Sequence, residues 1–132
     1  MAKSILIVDD EPMARTLLRL MLVRSGYEVI EAVDGYDAIE KLRTILPDLV
    51  ILDVMMPGLN GYDVCTSIRD GQATSRIPVI MLSAKTDTAS ISQGMEAGAT
   101  KYLTKPVSPD QLTTQVSDIL ADVNNPFQNH SL

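Results

Sequence analysis

Short unbroken apolar runs alternate with amphipathic stretches along most of this chain. Ile5 to Val8, Leu49 to Leu52 and Val79 to Leu82 are continuous and built mainly from Ile, Leu and Val. Strands buried on both faces read this way, because neither face needs a polar alternate. Tyr102-Leu103 is a shorter run of the same kind, and residues 27–32, mixed in polarity, predict an edge strand. Between the runs, apolar residues recur at helical spacing. Ala14, Leu17, Leu18, Met21 and Leu22 form one stripe, and Ala38, Ile39, Leu42 and Ile45 a second. Gly61, Val64, Cys65 and Ile68 form a third, and Leu112, Val116, Ile119 and Leu120 the last. Gly26 and Pro47 are natural stops for the first two. Ser108 and Pro109 suit the cap and first residue of the last helix. Residues 87–97 make the faintest stripe: Ile91 and Met95 share a face, but Ser92 and Gly94 dilute it.

Strand and helix thus alternate five times. Such alternation predicts βαβ units, a parallel sheet and helices on both of its faces, an α/β fold. A length of 132 residues suits one domain. We place that domain at residues 3–121 and read residues 122–132, which turn polar, as a C-terminal tail.

Acids outnumber bases 17 to 11, a formal charge of −6. That balance repels a polyanion, so direct nucleic-acid binding by this domain is not expected. The single cysteine, Cys65, excludes an internal disulfide and any multi-cysteine metal site, and it falls on an apolar helical stripe. The seven methionines are expected mostly as core filler. No apolar run approaches the roughly 18 residues of a membrane span. Ile5 to Val8 is too short for a signal peptide, so the expectation is a cytoplasmic protein with no membrane partner.

In an open parallel sheet, ligands bind beyond the carboxyl ends of the strands. Asp9, Asp10 and Glu11 follow the first run, Asp53 the third, Ser83 the fourth, and Thr104 and Lys105 the fifth. Three carboxylates, a hydroxyl and an ammonium should therefore meet at one rim. Two like charges about 4 Å apart repel by about 4 kcal/mol at an effective dielectric of about 20. Folding alone has no use for that repulsion, and a divalent cation relieves it. Carboxylate and water ligands suit Mg2+, or Mn2+, rather than zinc; the only histidine, His130, lies in the tail and is a poor ligand candidate. Beside such a cation, with Lys105 as a point charge and Ser83 as a donor, Asp53 is positioned as a carboxylate nucleophile toward phosphorus. Plainer roles stand beside these. Asp9-Asp10-Glu11 fit the acidic start of a helix, Ser83 could cap the next helix, Tyr102 could be a half-buried packing residue, and Lys105 a surface lysine.

Several segments, in order, resemble the receiver domain of two-component response regulators. They are Ile5-Leu6-Ile7-Val8-Asp9-Asp10-Glu11, then Pro47 to Gly58 around Asp53, then Gly61, Pro78 to Ala84, and Gly98 to Pro106. The resemblance covers about residues 3–121. It implies a flavodoxin-like fold of five parallel strands in order 2-1-3-4-5 with five flanking helices. It implies phosphorylation at Asp53 by a sensor histidine kinase or phosphotransfer protein. It implies Mg2+ on Asp10, Asp53 and the main-chain carbonyl of Met55, with Asp9 acting through water. Lys105 would pair with the phosphoryl group, and the Lys105-Pro106 bond would be cis. Ser83 and Tyr102 would be the switch pair, signalling through the fourth helix, fifth strand and fifth helix to a downstream protein. Catalysis would be confined to the chain's own phosphorylation and dephosphorylation, so the protein is not otherwise an enzyme. Met55 and Lys85 occupy positions that influence hydrolysis, and Val107 stands where relatives often carry an aromatic.

Arg15, Arg19 and Arg24 read as a solvated helix face, with kinase docking the sharper alternative. Residues 109–121 contain no Lys or Arg, and Thr100-Lys101 replaces an expected acid, so a monomer or weak dimer is expected. A nucleotide- or flavin-binding enzyme on this fold would need a glycine-rich phosphate cradle, which is missing after the first strand. A hydrolase with an Asp nucleophile would need a second acid at Met55. A module that binds partners without ever being phosphorylated is the remaining rival.

Overall fold

The structure, a computed structural model, describes residues 2–123. Strands β1 (Ser4–Val8), β2 (Glu28–Ala32), β3 (Leu49–Asp53), β4 (Val79–Ser83) and β5 (Lys101–Thr104) alternate with helices α1 (Pro12–Arg24), α2 (Gly35–Leu42), α3 (Gly61–Asp70), α4 (Thr88–Glu96) and α5 (Pro109–Val123). The strands form one parallel sheet in the order β2-β1-β3-β4-β5. Both the alternation and the implied strand order are therefore observed.

The three central strands are buried along their length, apart from the half-buried Ser4 at the start of β1. Their alternate residues feed two cores. Leu6, Val8, Val50, Leu52, Val79 and Met81 face α2 and α3 through Ala38, Leu42, Val64, Cys65 and Ile68. Ile5, Ile7, Leu49, Ile51, Ile80 and Leu82 face α1 and α5 through Leu18, Leu22, Leu112, Val116, Ile119 and Leu120. A buried aliphatic side chain contributes about 1.5–3 kcal/mol, so both faces pull the sheet into register.

Four expectations need correction. The stripe on α1 is narrower than its spacing suggests: Leu18 and Leu22 are buried, while Leu17 is exposed. The second helix ends at Leu42 in a tightened turn, with Arg43 and Thr44 N–H bonded to the Glu40 and Lys41 carbonyls, which leaves Ile45 outside it and exposed. On α4 the buried residues are Ser90 and Gly94, whereas Met95 is exposed and Ile91 only partly covered. The small face seats the helix closely. A Cβ on Gly94 would come within 2.8 Å of the Tyr102 ring and 3.0 Å of the Met81 sulfur. Lastly, α5 runs to Val123, two residues into the stretch read as tail; the rest of that tail, including His130, lies outside the described residues. Cys65 is buried, as its stripe implied.

Candidate metal centre

The register aligns the carboxyl ends of the central strands. Val8 pairs with Leu52, Asp53 with Leu82, and Ser83 with Thr104. Side chains that follow or end those strands must therefore share one rim. Gly61, which opens α3, lets the helix press against it: a Cβ there would lie 2.5 Å from the Asp53 carbonyl oxygen.

Asp9, Asp10 and Asp53 each offer a ligand atom, all within 4.8 Å of one another. Asp9 is 2% exposed. Its Oδ1 accepts the Glu11 N–H at 2.9 Å. Its Oδ2 is buried and accepts no hydrogen bond among the described residues. The Lys105 ammonium lies 3.7 Å from that oxygen, close enough to attract but too far to hydrogen-bond well. Lys105 stands nearer to Asp53, with Nζ 3.2 Å from Oδ1. Met55 N–H reaches the same oxygen at 3.4 Å. Both donors use Oδ1, so Oδ2 of Asp53 is left without one among the described residues. Burial pushes the Asp53 carboxyl above its ordinary pKa; Lys105 opposes that by charge and hydrogen bond, while the Asp9 charge adds to it. A buried unpartnered oxygen beside two more carboxylates fits a hard divalent cation. One lysine does not balance three acids.

Ser83 is fully buried at the end of β4, and its Oγ accepts the Lys85 N–H at 3.0 Å. It does not cap α4. That task belongs to Asp87, whose carboxylate accepts the Ser90 N–H and hydroxyl at 3.0 and 2.8 Å. Tyr102 is half-buried and donates its hydroxyl to the Lys85 carbonyl at 3.0 Å. The main chain of Lys85 thus touches both Ser83 and Tyr102. The Lys105-Pro106 bond is cis.

Residues 5–117 match the family model of the response regulator receiver domain. The chain belongs to that family. The receiver is 47% identical over 120 residues to the alkaline phosphatase synthesis transcriptional regulatory protein PhoP of Bacillus subtilis, a match covering 91% of this chain and 49% of that protein. It is 42% identical over 116 residues to the DNA-binding response regulator MtrA of Mycolicibacterium smegmatis, covering 88% and 50%. The chain spans about half the length of these curated relatives. Among solved structures, chemotaxis protein CheY4 of Vibrio cholerae superposes with a TM-score of 0.86 at 30% identity, covering 90% of this chain and 99% of that one. The receiver is thus a two-component signalling domain similar to those of DNA-binding regulators. The expectation that nucleic acid is no partner finds no support in those relatives. Among the described residues, no helix is long and apolar enough to cross a membrane.

Of the predicted site residues, Asp9, Asp10, Asp53 and Lys105 come together at one rim of the receiver. Met55 follows beside them with its side chain 55% exposed, while Ser83 and Tyr102 meet at Lys85. Glu11 takes the plainer of its two roles and caps α1, accepting the N–H groups of Met13 and Ala14 at 3.2 and 2.8 Å. Arg15 departs from expectation. It is no part of a solvated face: its Nη1 donates to the Asp9 carbonyl at 2.9 Å and its Nε lies 3.4 Å from Glu31. Spacing along α1 could not single it out, since Arg19 and Arg24 read identically.

Proposed function

We propose that Asp53 accepts a phosphoryl group from a phosphohistidine on a sensor histidine kinase or phosphotransfer protein. Asp10, Asp53 and the main-chain carbonyl of Met55 would ligate Mg2+, or Mn2+, with Asp9 acting through water. The carrying observation is a buried carboxylate whose two donors both meet Oδ1, leaving Oδ2 without one among the described residues, flanked by Lys105 and two further carboxylates.

The chemistry divides among the chain's own groups. The free Asp53 oxygen attacks phosphorus, an O–P bond forms, and the P–N bond to the donor imidazole breaks. The electron pair leaves with the imidazole, which takes up a proton. Lys105 offers its ammonium to a phosphoryl oxygen. Magnesium, when bound, supplies positive charge against the three carboxylates and the incoming group. Ser83 donates its hydroxyl to the phosphoryl group, and Tyr102 follows by turning inward. The α4-β5-α5 surface then changes for a downstream protein. Water attack on the acyl phosphate resets the site, so the chain acts only on itself. We place this domain at residues 3–121, in the cytoplasm, as a monomer or weak dimer.

Intact-mass analysis after incubation with acetyl phosphate tests this. Wild-type protein is expected to gain one phosphoryl mass in Mg2+ and none in chelator, and Asp53→Asn none in either. Unchanged wild-type mass would favour a module that binds partners without phosphorylation.

A further inference from the structure

We infer that Arg15 is a positioning residue for the cation site: it holds the peptide that joins Asp9 to Asp10, and so aims the Asp10 carboxylate. The inference rests on the cation-binding reading above.

Arg15 sits in the first turn of α1, and its side chain leans back toward the sheet edge, as helical side chains do. Only 15% of that side chain is exposed. Its Nη1 donates to the Asp9 carbonyl at 2.9 Å, while Nε lies 3.4 Å from Glu31 Oε1 on β2. Arg19 approaches the other Glu31 oxygen at 3.7 Å. The Asp9 N–H goes to the Ala32 carbonyl at 3.3 Å. Both main-chain groups of Asp9 are therefore tied to the β2 edge, one directly and one through the Arg15–Glu31 pair.

The carbonyl that Arg15 holds belongs to the peptide group shared with Asp10. A peptide group is a rigid plane, so fixing its oxygen fixes where the Asp10 Cα leaves it. The exposed Asp10 carboxylate itself accepts no hydrogen bond among the described residues, yet it stands with Asp9 and Asp53 in the acid cluster. Its direction comes from the backbone beneath it. The guanidinium hydrogen-bonds the Asp9 carbonyl through Nη1, while its buried Nε makes no hydrogen bond among the described residues and meets Glu31 by charge alone at 3.4 Å; a lysine ammonium, a single point charge, cannot span both.

Charge and position make opposite demands. A cation this close to a cation site repels the incoming ion, so deleting Arg15 tightens Mg2+ binding if charge is all that matters. If Arg15 positions a ligand, deletion loosens binding, as loss of outer partners of metal ligands does.

The experiment is titration calorimetry with Mg2+, repeated with Mn2+ by the fall of the free-ion EPR signal, on wild type, Arg15→Met, Arg15→Lys and Arg24→Met. Thermal unfolding without metal checks each fold. Arg15→Met is expected to bind both ions about tenfold more weakly. Arg15→Lys, which keeps the charge and loses the fork, should bind several-fold more weakly. Arg24→Met, the same charge change in the last turn of α1, should bind as wild type does or slightly tighter. Wild-type or tighter affinity in Arg15→Met overturns the proposal and leaves the proposed function standing. Absence of Mg2+ uptake by wild type overturns both. If Arg15→Met does not fold, Arg15→Lys decides, and unchanged affinity there overturns the proposal.

Discussion

The two ends of the sheet are built on opposite terms. At the amino ends of the strands, the prominent polar groups are matched. Ser4 N–H donates to Asp48 at 2.8 Å, and Val79 N–H to the Thr100 hydroxyl at 3.0 Å. Arg69 donates to the carbonyls of Gly98, Ile77 and Ser75 at 2.9, 2.6 and 3.3 Å, and Thr74 donates to the Ile68 carbonyl at 2.7 Å. At the carboxyl ends, three acids crowd one lysine, and among the described residues the buried Asp9 Oδ2 and Arg15 Nε stay without a hydrogen-bond partner. Buried polar groups cost stability unless matched, so the matched end is what folding requires. On the proposed function, the unmatched end is where a bound cation would restore the balance.

The largest effect expected from this contrast lies at the matched end. Arg69→Met leaves three carbonyls without their donor and should lower stability by about 3 kcal/mol. That corresponds to a fall of roughly 10 °C in Tm by thermal unfolding. Mg2+ affinity should not change; if it falls in step, the two ends are not separable.

At the unmatched end, Asp53→Asn should raise metal-free stability, by less than the loss in Arg69→Met, readable by urea unfolding. The sign follows from Asp53 holding its proton more tightly when folded than when unfolded. Its contribution is complete below the unfolded carboxyl pKa of about 4 and is lost as pH rises through the higher folded value. Metal-free wild type should therefore weaken over that interval relative to Asp53→Asn. A parallel pH profile for the two proteins would show that the buried charge is not the cause.

Ser83→Ala should sharpen the same contrast with little change in stability. It should still gain a phosphoryl mass at Asp53, while the α4 amide shifts that accompany phosphorylation in wild type largely disappear by NMR. Full wild-type shifts in that variant would exclude Ser83 from the switch.

The smallest effect lies away from both ends. The Lys41 ammonium sits 2.8 Å from both Asp37 oxygens, and that hydrogen bond is the main reason the Asp37 carboxyl falls below its ordinary pKa. This pair contributes stability above the unfolded carboxyl pKa, lost as pH falls, the reverse of Asp53. Lys41→Met should cost only about 0.5 kcal/mol at neutral pH, measured by urea unfolding.

Much of this was legible in the chain. Buried strands announce themselves through runs such as Leu49 to Leu52, and the acids that follow such runs must land on one rim, so Asp9, Asp10, Asp53 and Lys105 could be placed together without coordinates. Helix α4 was legible as an element but its buried face was not, because that face is made of Ser90 and Gly94, which carry no apolar signal; the packing depends on their small size beneath Tyr102. Arg15 escaped for a different reason. Its partners, the Asp9 carbonyl and Glu31, become neighbours only once β2 lies beside β1. Glu11 and Ser83 each admitted two local roles, and only the settled turns show that Glu11 and Asp87 do the capping.

Thermal unfolding of wild type and Asp53→Asn, each with Mg2+ and with chelator, tests the unmatched rim most directly. Mg2+ should raise the wild-type Tm by several degrees, as a ligand that binds only the folded state does, and should scarcely move that of Asp53→Asn. Equal wild-type Tm values with and without Mg2+ would contradict the claim that this rim is built to be completed by a divalent ion.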